Sequence, residues 1–232
     1  MNDSYVILLS TAATLGVLHT ALGVDHVVPF VALAHARRWS LAKTVVTTGV
    51  CGLGHVLSSV VIASVGLSLG VATGKLAWLE ATRGSWAAML LIGFGLGYAA
   101  FAFWKNRRQK LGAHLAQHEH DAQLTELVVD PALDHRRVIP ALFIIFVLGP
   151  CEALLPLLTA SGLTLSLRQS VVVGGVFCAA TLFTMLSLVM VGFWGLRLSG
   201  WSTRHGLFHA HAHTWAGLSM ALSGLAIQVL GI

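Results

Sequence analysis

Charge is what this sequence has least of. Asp, Glu, Lys and Arg together make up 10% of its 232 residues, where a soluble globular domain carries roughly a quarter. Apolar residues reach 56%, and they run in long blocks instead of the three-or-four-residue spacing of a helix with one wet face. A soluble fold of this size cannot hide so much apolar surface, but a bilayer can. A spanning helix needs roughly 20 apolar residues, and only helices and closed barrels satisfy their own backbone in lipid. The blocks are longer than barrel strands and do not alternate, so helices are expected. Cysteine is scarce too. Cys51, Cys151 and Cys178 all lie inside apolar blocks, which argues against a secreted disulfide framework. No catalytic triad or nucleotide-binding motif is visible, so a non-enzymatic role is expected. Asp3 stands where a signal peptide would be positive, and no small-residue cleavage site follows, so the first helix is expected to stay.

The apolar blocks place spans near 5–35, 42–70, 85–104, 138–163, 170–196 and 210–231. Six spans put the first, third and fifth loops on one side. Those loops hold Arg37, Arg38, Lys43, Lys105, Arg107, Arg108, Lys110, Arg136, Arg137, Arg197 and Arg204, against Lys75, Arg83 and Arg168 opposite. Cytoplasmic loops collect Lys and Arg, so both termini are expected outside, in a cell's inner membrane. The basic balance is then a matter of topology and implies no nucleic-acid partner. The expected fold is an all-α integral membrane protein. Its first three-helix unit covers 1–104, a cytoplasmic histidine-rich loop 105–137, and a second three-helix unit 138–232.

The two units resemble each other. At an offset of 126, Ser40-Leu41 meets Ser166-Leu167, Val45-Val46 meets Val171-Val172, and Gly49-Val50 meets Gly175-Val176. Leu22-Gly23 likewise meets Leu148-Gly149. Three helices per unit would set the halves in opposite orientations, and inverted-repeat transporters bind their cargo at the midplane between the repeats. The same offset sets Asp25-His26 against Cys151-Glu152.

Those residues are also the chemically costly ones. Asp25 and Glu152 read as the acidic residues lying inside apolar blocks, and ionisable groups in a membrane mark functional sites by default. His19, His26, His55 and Cys151 share the blocks with them. Imidazole, carboxylate and thiolate are ligand types of late first-row divalent metals. On a continuous helix His19 and His26 would stand about 10 Å apart along the axis, too far to share an ion. Gly23 and Pro29 therefore predict an unwound first helix, and Gly149, Pro150 and Pro156 a broken fourth one. Other roles stay open at this point. Asp25 with His26 could relay protons without a metal, and His55 could bridge helices by a hydrogen bond. Cys51 and Cys178 read as small buried apolar residues.

Two histidine groups lie on the expected cytoplasmic side. His114, His118 and His120 stand in the long loop with Glu119 and Asp121, while His205, His209 and His213 recur every four residues with His211 among them. Four-residue spacing stacks imidazoles on one helical face, which suits transient capture or sensing of a divalent metal. A cytoplasmic metal chaperone would be a natural partner.

The run His19-Thr-Ala-Leu-Gly-Val-Asp25-His26 resembles the His-x4-Asp-His signature of the nickel/cobalt transporter family and its UreH-like six-helix relatives. Gly54-His55 resembles that family's second-helix motif, and Leu148-Gly149-Pro150-Cys151-Glu152 lies where the family carries an acidic motif beginning Leu-Gly. The resemblance implies metal-ligand or selectivity roles for His19, Asp25, His26 and His55. Two departures stand out. Five residues, not four, separate His19 from Asp25, and Cys151-Glu152 introduces a softer donor.

The resulting expectation is a permease for a divalent transition metal, nickel or cobalt, carried as substrate with no permanently bound cofactor. Cytoplasmic histidines suit loading for export and capture after import equally. Two other classes compete: a CcdA/DsbD-like membrane thiol carrier, for which Cys151 lacks a cysteine counterpart in the first helix, and a metal-sensing accessory protein that moves nothing.

Overall fold

A computed structural model describes residues 3–116, 135–198 and 211–230, with side chains for 3–108, 138–198 and 211–229. Among the described residues every regular element is helical. The order is α1 Asp3–Leu22, a 3-10 turn Val24–His26, α2 Val28–Ala36, α3 Leu41–Ser68, α4 Thr73–Ala116, α5 His135–Leu148, α6 Leu154–Thr164, α7 Leu167–Leu198 and α8 Ala212–Leu230. Asp3–Leu22, Leu41–Ser68, Thr73–Arg108 and Leu167–Leu198 are long and apolar enough to cross a membrane. Val24–Ala36, Val138–Leu148 and Leu154–Thr164 are shorter apolar helices.

Both breaks follow from glycine and proline. Pro29 lies in the first turn of α2; it has no N–H to continue the ladder back to Asp25. Gly23 takes an extended conformation ahead of the turn. In the second half Gly149 and Pro150 separate α5 from α6. The boundaries recur at one spacing. Leu22 and Leu148 end the first halves (148 − 22 = 126), Val28 and Leu154 begin the second (154 − 28 = 126), and Leu41 and Leu167 begin the long helices that follow (167 − 41 = 126).

One element is longer than the hydropathy of the sequence suggested. The third span, expected at 85–104, belongs to a helix that begins at Thr73 and runs to Ala116, into residues expected as loop. Its first turns carry Glu80 and Arg83, which a search for charge-free windows skips. On a helix these residues face the same way and neutralise each other, so the segment still buries. Arg83, expected in a loop, is corrected to a place within this helix.

The bundle is turned inside out relative to a soluble protein. Outward faces carry Val61, Trp78, Phe183, Val191 and Leu222, which hydrocarbon solvates at no cost. The buried face of α3 is small and polar instead: Thr44, Thr47, Thr48, Cys51, Gly52, His55, Ser59, Ala63 and Gly66. Their three-or-four-residue spacing makes one stripe along the helix. α8 lies along α4, α1 along α7, and α3 against both α5 and α7. The α4–α8 contact is backbone-close. A methyl group on Gly95 would meet the Gly217 carbonyl oxygen at 2.6 Å, and one on Gly217 would meet the Gly95 carbonyl oxygen at 2.6 Å.

Candidate metal centre

The two breaks face each other, and α3 passes between them. His19, on the last turn of α1, stands within ring contact of both His26 and His55, with centroids 5.0 and 6.2 Å away. A regular helix through Gly23 would have kept His19 and His26 apart; the turn at 24–26 folds His26 back beneath it. Cys151 comes from the other break, its Sγ 3.7 Å from His19 Nε2. One donor atom each from His19, His55 and Cys151 lie within 4.8 Å of one another. His26 and His55 are fully sheltered, and so is Cys151.

The proton positions on two of the rings follow from their neighbours. His26 Nδ1 lies 3.1 Å from the Asp25 carboxylate and 3.3 Å from the Gly23 carbonyl oxygen. Both are acceptors, so Nδ1 carries the hydrogen. His55 Nδ1 lies 3.2 Å from the Phe146 carbonyl oxygen, again an acceptor. That carbonyl lacks the bond four residues on, because Pro150 has no N–H, and it accepts from the Gly149 N–H at 3.1 Å as well. In the neutral rings both Nε2 atoms are then bare lone pairs, and they face each other 3.4 Å apart. Two lone pairs at that distance repel unless a proton or a metal ion sits between them; with Asp25 behind it, a protonated His26 would donate its Nε2–H to His55 Nε2. An acceptor behind each ring is also the arrangement that orients metal-ligating histidines.

The spacing carries information of its own. Two imidazole nitrogens at about 2.0–2.1 Å from one tetrahedral ion stand roughly 3.3–3.4 Å apart, and a thiolate at about 2.3 Å stands roughly 3.5–3.6 Å from such a nitrogen. The observed 3.4 Å for His26 and His55 and 3.7 Å for Cys151 and His19 match those edges. Among His19, His55 and Cys151 the separations reach up to 4.8 Å and require an inward step of up to about 1.3 Å to close on one ion; His26, outside that three-donor group, meets it through His55.

Beside the donors lies a cavity of about 430 Å³, bordered by Asp25, His26, His55 and Glu152 and by the apolar side chains of Leu15, Leu18, Leu91 and Phe146. The two acidic residues read together from the sequence part company here. Asp25 is mostly buried behind His26. Glu152 is exposed on the cavity wall, so its neighbour Cys151 turns inward while it turns out.

A scan against protein-family models finds no match, and neither curated proteins nor solved structures show significant similarity to the chain. What the chain does is therefore argued from the site itself.

Sequence reasoning missed a second polar group. Glu80 is buried on α4, paired with Arg83. The signal was present as two opposite charges three residues apart at the edge of an apolar block. Of the histidines expected on the cytoplasmic side, His213 Nδ1 pairs with the Tyr98 hydroxyl at 2.7 Å, and His211 lies 3.5 Å from the Asn106 amide. Both partners are on α4. His114 falls on α4 without a described side chain, and His118, His120, His205 and His209 lie outside the described residues.

Proposed function

We propose that the chain is a secondary transporter for a divalent transition metal of the nickel and cobalt class, carried as substrate at the His19, His26, His55 and Cys151 site. The observation that supports it best is the pair of facing Nε2 lone pairs on His26 and His55, 3.4 Å apart in a buried setting beside a thiol. Nitrogen and sulfur donors suit borderline divalent ions and disfavour Mg²⁺ and Ca²⁺, which take oxygen. The tetrahedral edges favour Co²⁺ over Ni²⁺, whose preferred N,O geometry is square-planar or tetragonal. Asp25 supplies one negative charge through His26, and a Cys151 thiolate would supply a second at the ion.

A permanent structural site would have no need of a cavity or of broken spanning helices. Here His19, His26 and Cys151 lie at two helix breaks, with His55 on α3 beside them, the architecture in which transporters expose irregular backbone to their cargo. The recurrence of three helix boundaries at an offset of 126 supports reading the chain as two three-helix repeats. Contacts also come in reciprocal pairs, α1 with α7 and α5 with α3, α2 with α7 and α6 with α3, as a twofold relation between the repeats requires. On that reading six segments cross the inner membrane with both termini outside. Burying Arg83 against Glu80 leaves Lys75 and Arg168, in the first turns of α4 and α7, as the outward basic residues named from the sequence, which sharpens the charge asymmetry. Glu152 and the cavity would admit the cation, and rocking of one repeat against the other would release it.

The test is metal flux into proteoliposomes holding the purified full chain, read with a trapped metal-sensitive dye for Co²⁺, Ni²⁺, Zn²⁺ and Mn²⁺. Wild type should pass Co²⁺, and His55→Ala should abolish that flux. Equal flux in protein-free liposomes or in His55→Ala would sink the proposal.

A further inference from the structure

A helix that breaks inside a membrane leaves backbone groups that neither water nor lipid can satisfy. In an unbroken helix through α5 and α6, the Cys151 N–H would bond the Val147 carbonyl oxygen, four residues back. That rung is absent. Cys151 N–H instead donates to Glu80 Oε2 at 3.3 Å, and the Val147 carbonyl oxygen instead accepts from Arg83 Nη2 at 2.8 Å. Arg83 Nη2 also reaches the Gly149 carbonyl oxygen at 3.4 Å. The two side chains, joined to each other, stand in for the donor and the acceptor of one missing hydrogen bond.

The rest of the surroundings fits the same task. Ser59 Oγ donates to Glu80 Oε2 at 3.2 Å and Arg83 Nη2 to Ser58 Oγ at 2.9 Å, so both charges are tied to α3 as well. The next residue, Gly84, lies under Pro150: a methyl there would stand 2.7 Å from the proline Cγ. Glu80-x-x-Arg83-Gly84 is thus one turn of α4 shaped to the break, with a carboxylate for its amide, a guanidinium for its carbonyls and no side chain where its proline sits.

We propose that Glu80 and Arg83 are a positioning pair that splices the broken helix and so holds the Cys151 thiol against His19. Neither reaches the metal donors itself. Their effect on cargo passes through the Cys151 backbone, and only the part of the inference concerning metal rests on the transport reading above. An uncharged pair of similar size could fill the space but could not supply both a strong acceptor and a forked donor.

The experiment uses the full chain in nanodiscs with Cys51→Ala and Cys178→Ala, leaving Cys151 as the one thiol. Two readouts are taken on that background and on Arg83→Ala, Arg83→Lys and Glu80→Gln: the rate at which a maleimide labels Cys151 without metal, and the near-ultraviolet sulfur-to-cobalt charge-transfer band with Co²⁺. Losing one partner of a buried pair frees the break to open locally, so Arg83→Ala should label faster by about tenfold or more. Arg83→Lys keeps the charge without the fork and should fall between. In the same order the cobalt–thiolate band should weaken while the histidine-derived visible bands persist. Glu80→Gln keeps the shape and serves if Arg83→Ala does not fold. Labelling within twofold of the background in any folded variant that removes the pair would overturn the proposal. If wild type shows no cobalt–thiolate band but labelling still accelerates, the transport reading fails and the splice stands.

Discussion

His26 and His55 point their Nε2 atoms at each other across 3.4 Å, and each ring is held from behind by an acceptor, the Asp25 carboxylate for one and the Phe146 carbonyl for the other. The first comes from a turn made by Gly23 and Pro29, the second from a carbonyl at the end of α5, which takes the Gly149 N–H and has no N–H from Pro150. Two helix breaks, far apart in sequence, therefore set the protonation of two rings that meet at one place.

That arrangement makes Asp25 an orienting residue. Asp25→Asn keeps an acceptor but removes the charge, and changes of this kind behind a metal-bound histidine lower affinity by roughly 10–100-fold. Isothermal titration of Co²⁺ into wild type and variant checks it; equal affinities would show that Asp25 does not act through His26.

Glu152 should behave differently, although it reads from the sequence as the second acidic residue inside an apolar block. It is exposed on the cavity wall, where a single charge is screened by salt. Glu152→Gln should leave equilibrium Co²⁺ affinity within about threefold, a surface-charge effect, and slow flux chiefly at low ionic strength. Flux at two salt concentrations separates this from a ligand role, which would show as lost affinity at both.

Gly23→Ala tests the turn. A methyl group at Gly23 would collide with the His26 ring, so the ring must move. The variant should keep its helix content by circular dichroism while losing metal affinity by about tenfold or more, as for a disturbed ligand orientation. Retained affinity would mean that His26 is not among the donors.

Gly95→Leu probes the bundle instead of the site. Gly95 and Gly217 admit each other's backbone at 2.6 Å, and overpacking a close contact costs about 1–3 kcal/mol or more. The thermal midpoint in detergent should fall by several degrees, by about 2–4 °C per kcal/mol for a chain of this size. An unchanged midpoint would argue that α4 and α8 are not in backbone contact.

Cys151→Ser should shift selectivity. Replacing a soft thiolate with a hydroxyl weakens Co²⁺ and Zn²⁺ more than Mn²⁺, narrowing the ratio of their affinities by about tenfold, or roughly 1.4 kcal/mol. Competition titrations measure that ratio directly.

Much of this protein is written locally and can be read from the chain. Long apolar blocks force helices because lipid offers the backbone no other partner. Gly23 with Pro29 and Gly149 with Pro150 mark where those helices break, because proline has no N–H to continue the ladder and glycine adopts the bend readily, while Pro140 alone is carried inside α5. His19, Asp25, His26, His55 and Cys151 stand out because polar groups are costly in such surroundings. Tertiary structure decided what the breaks do with their freed groups. Whether Cys151 or Glu152 turns inward depends on the direction of the chain after Pro150, which no local pattern fixes. Glu80 and Arg83 read from sequence as the polar edge of a loop, and they become interior only because each finds in the other, and in the broken rung between Val147 and Cys151, the partners that make burial possible.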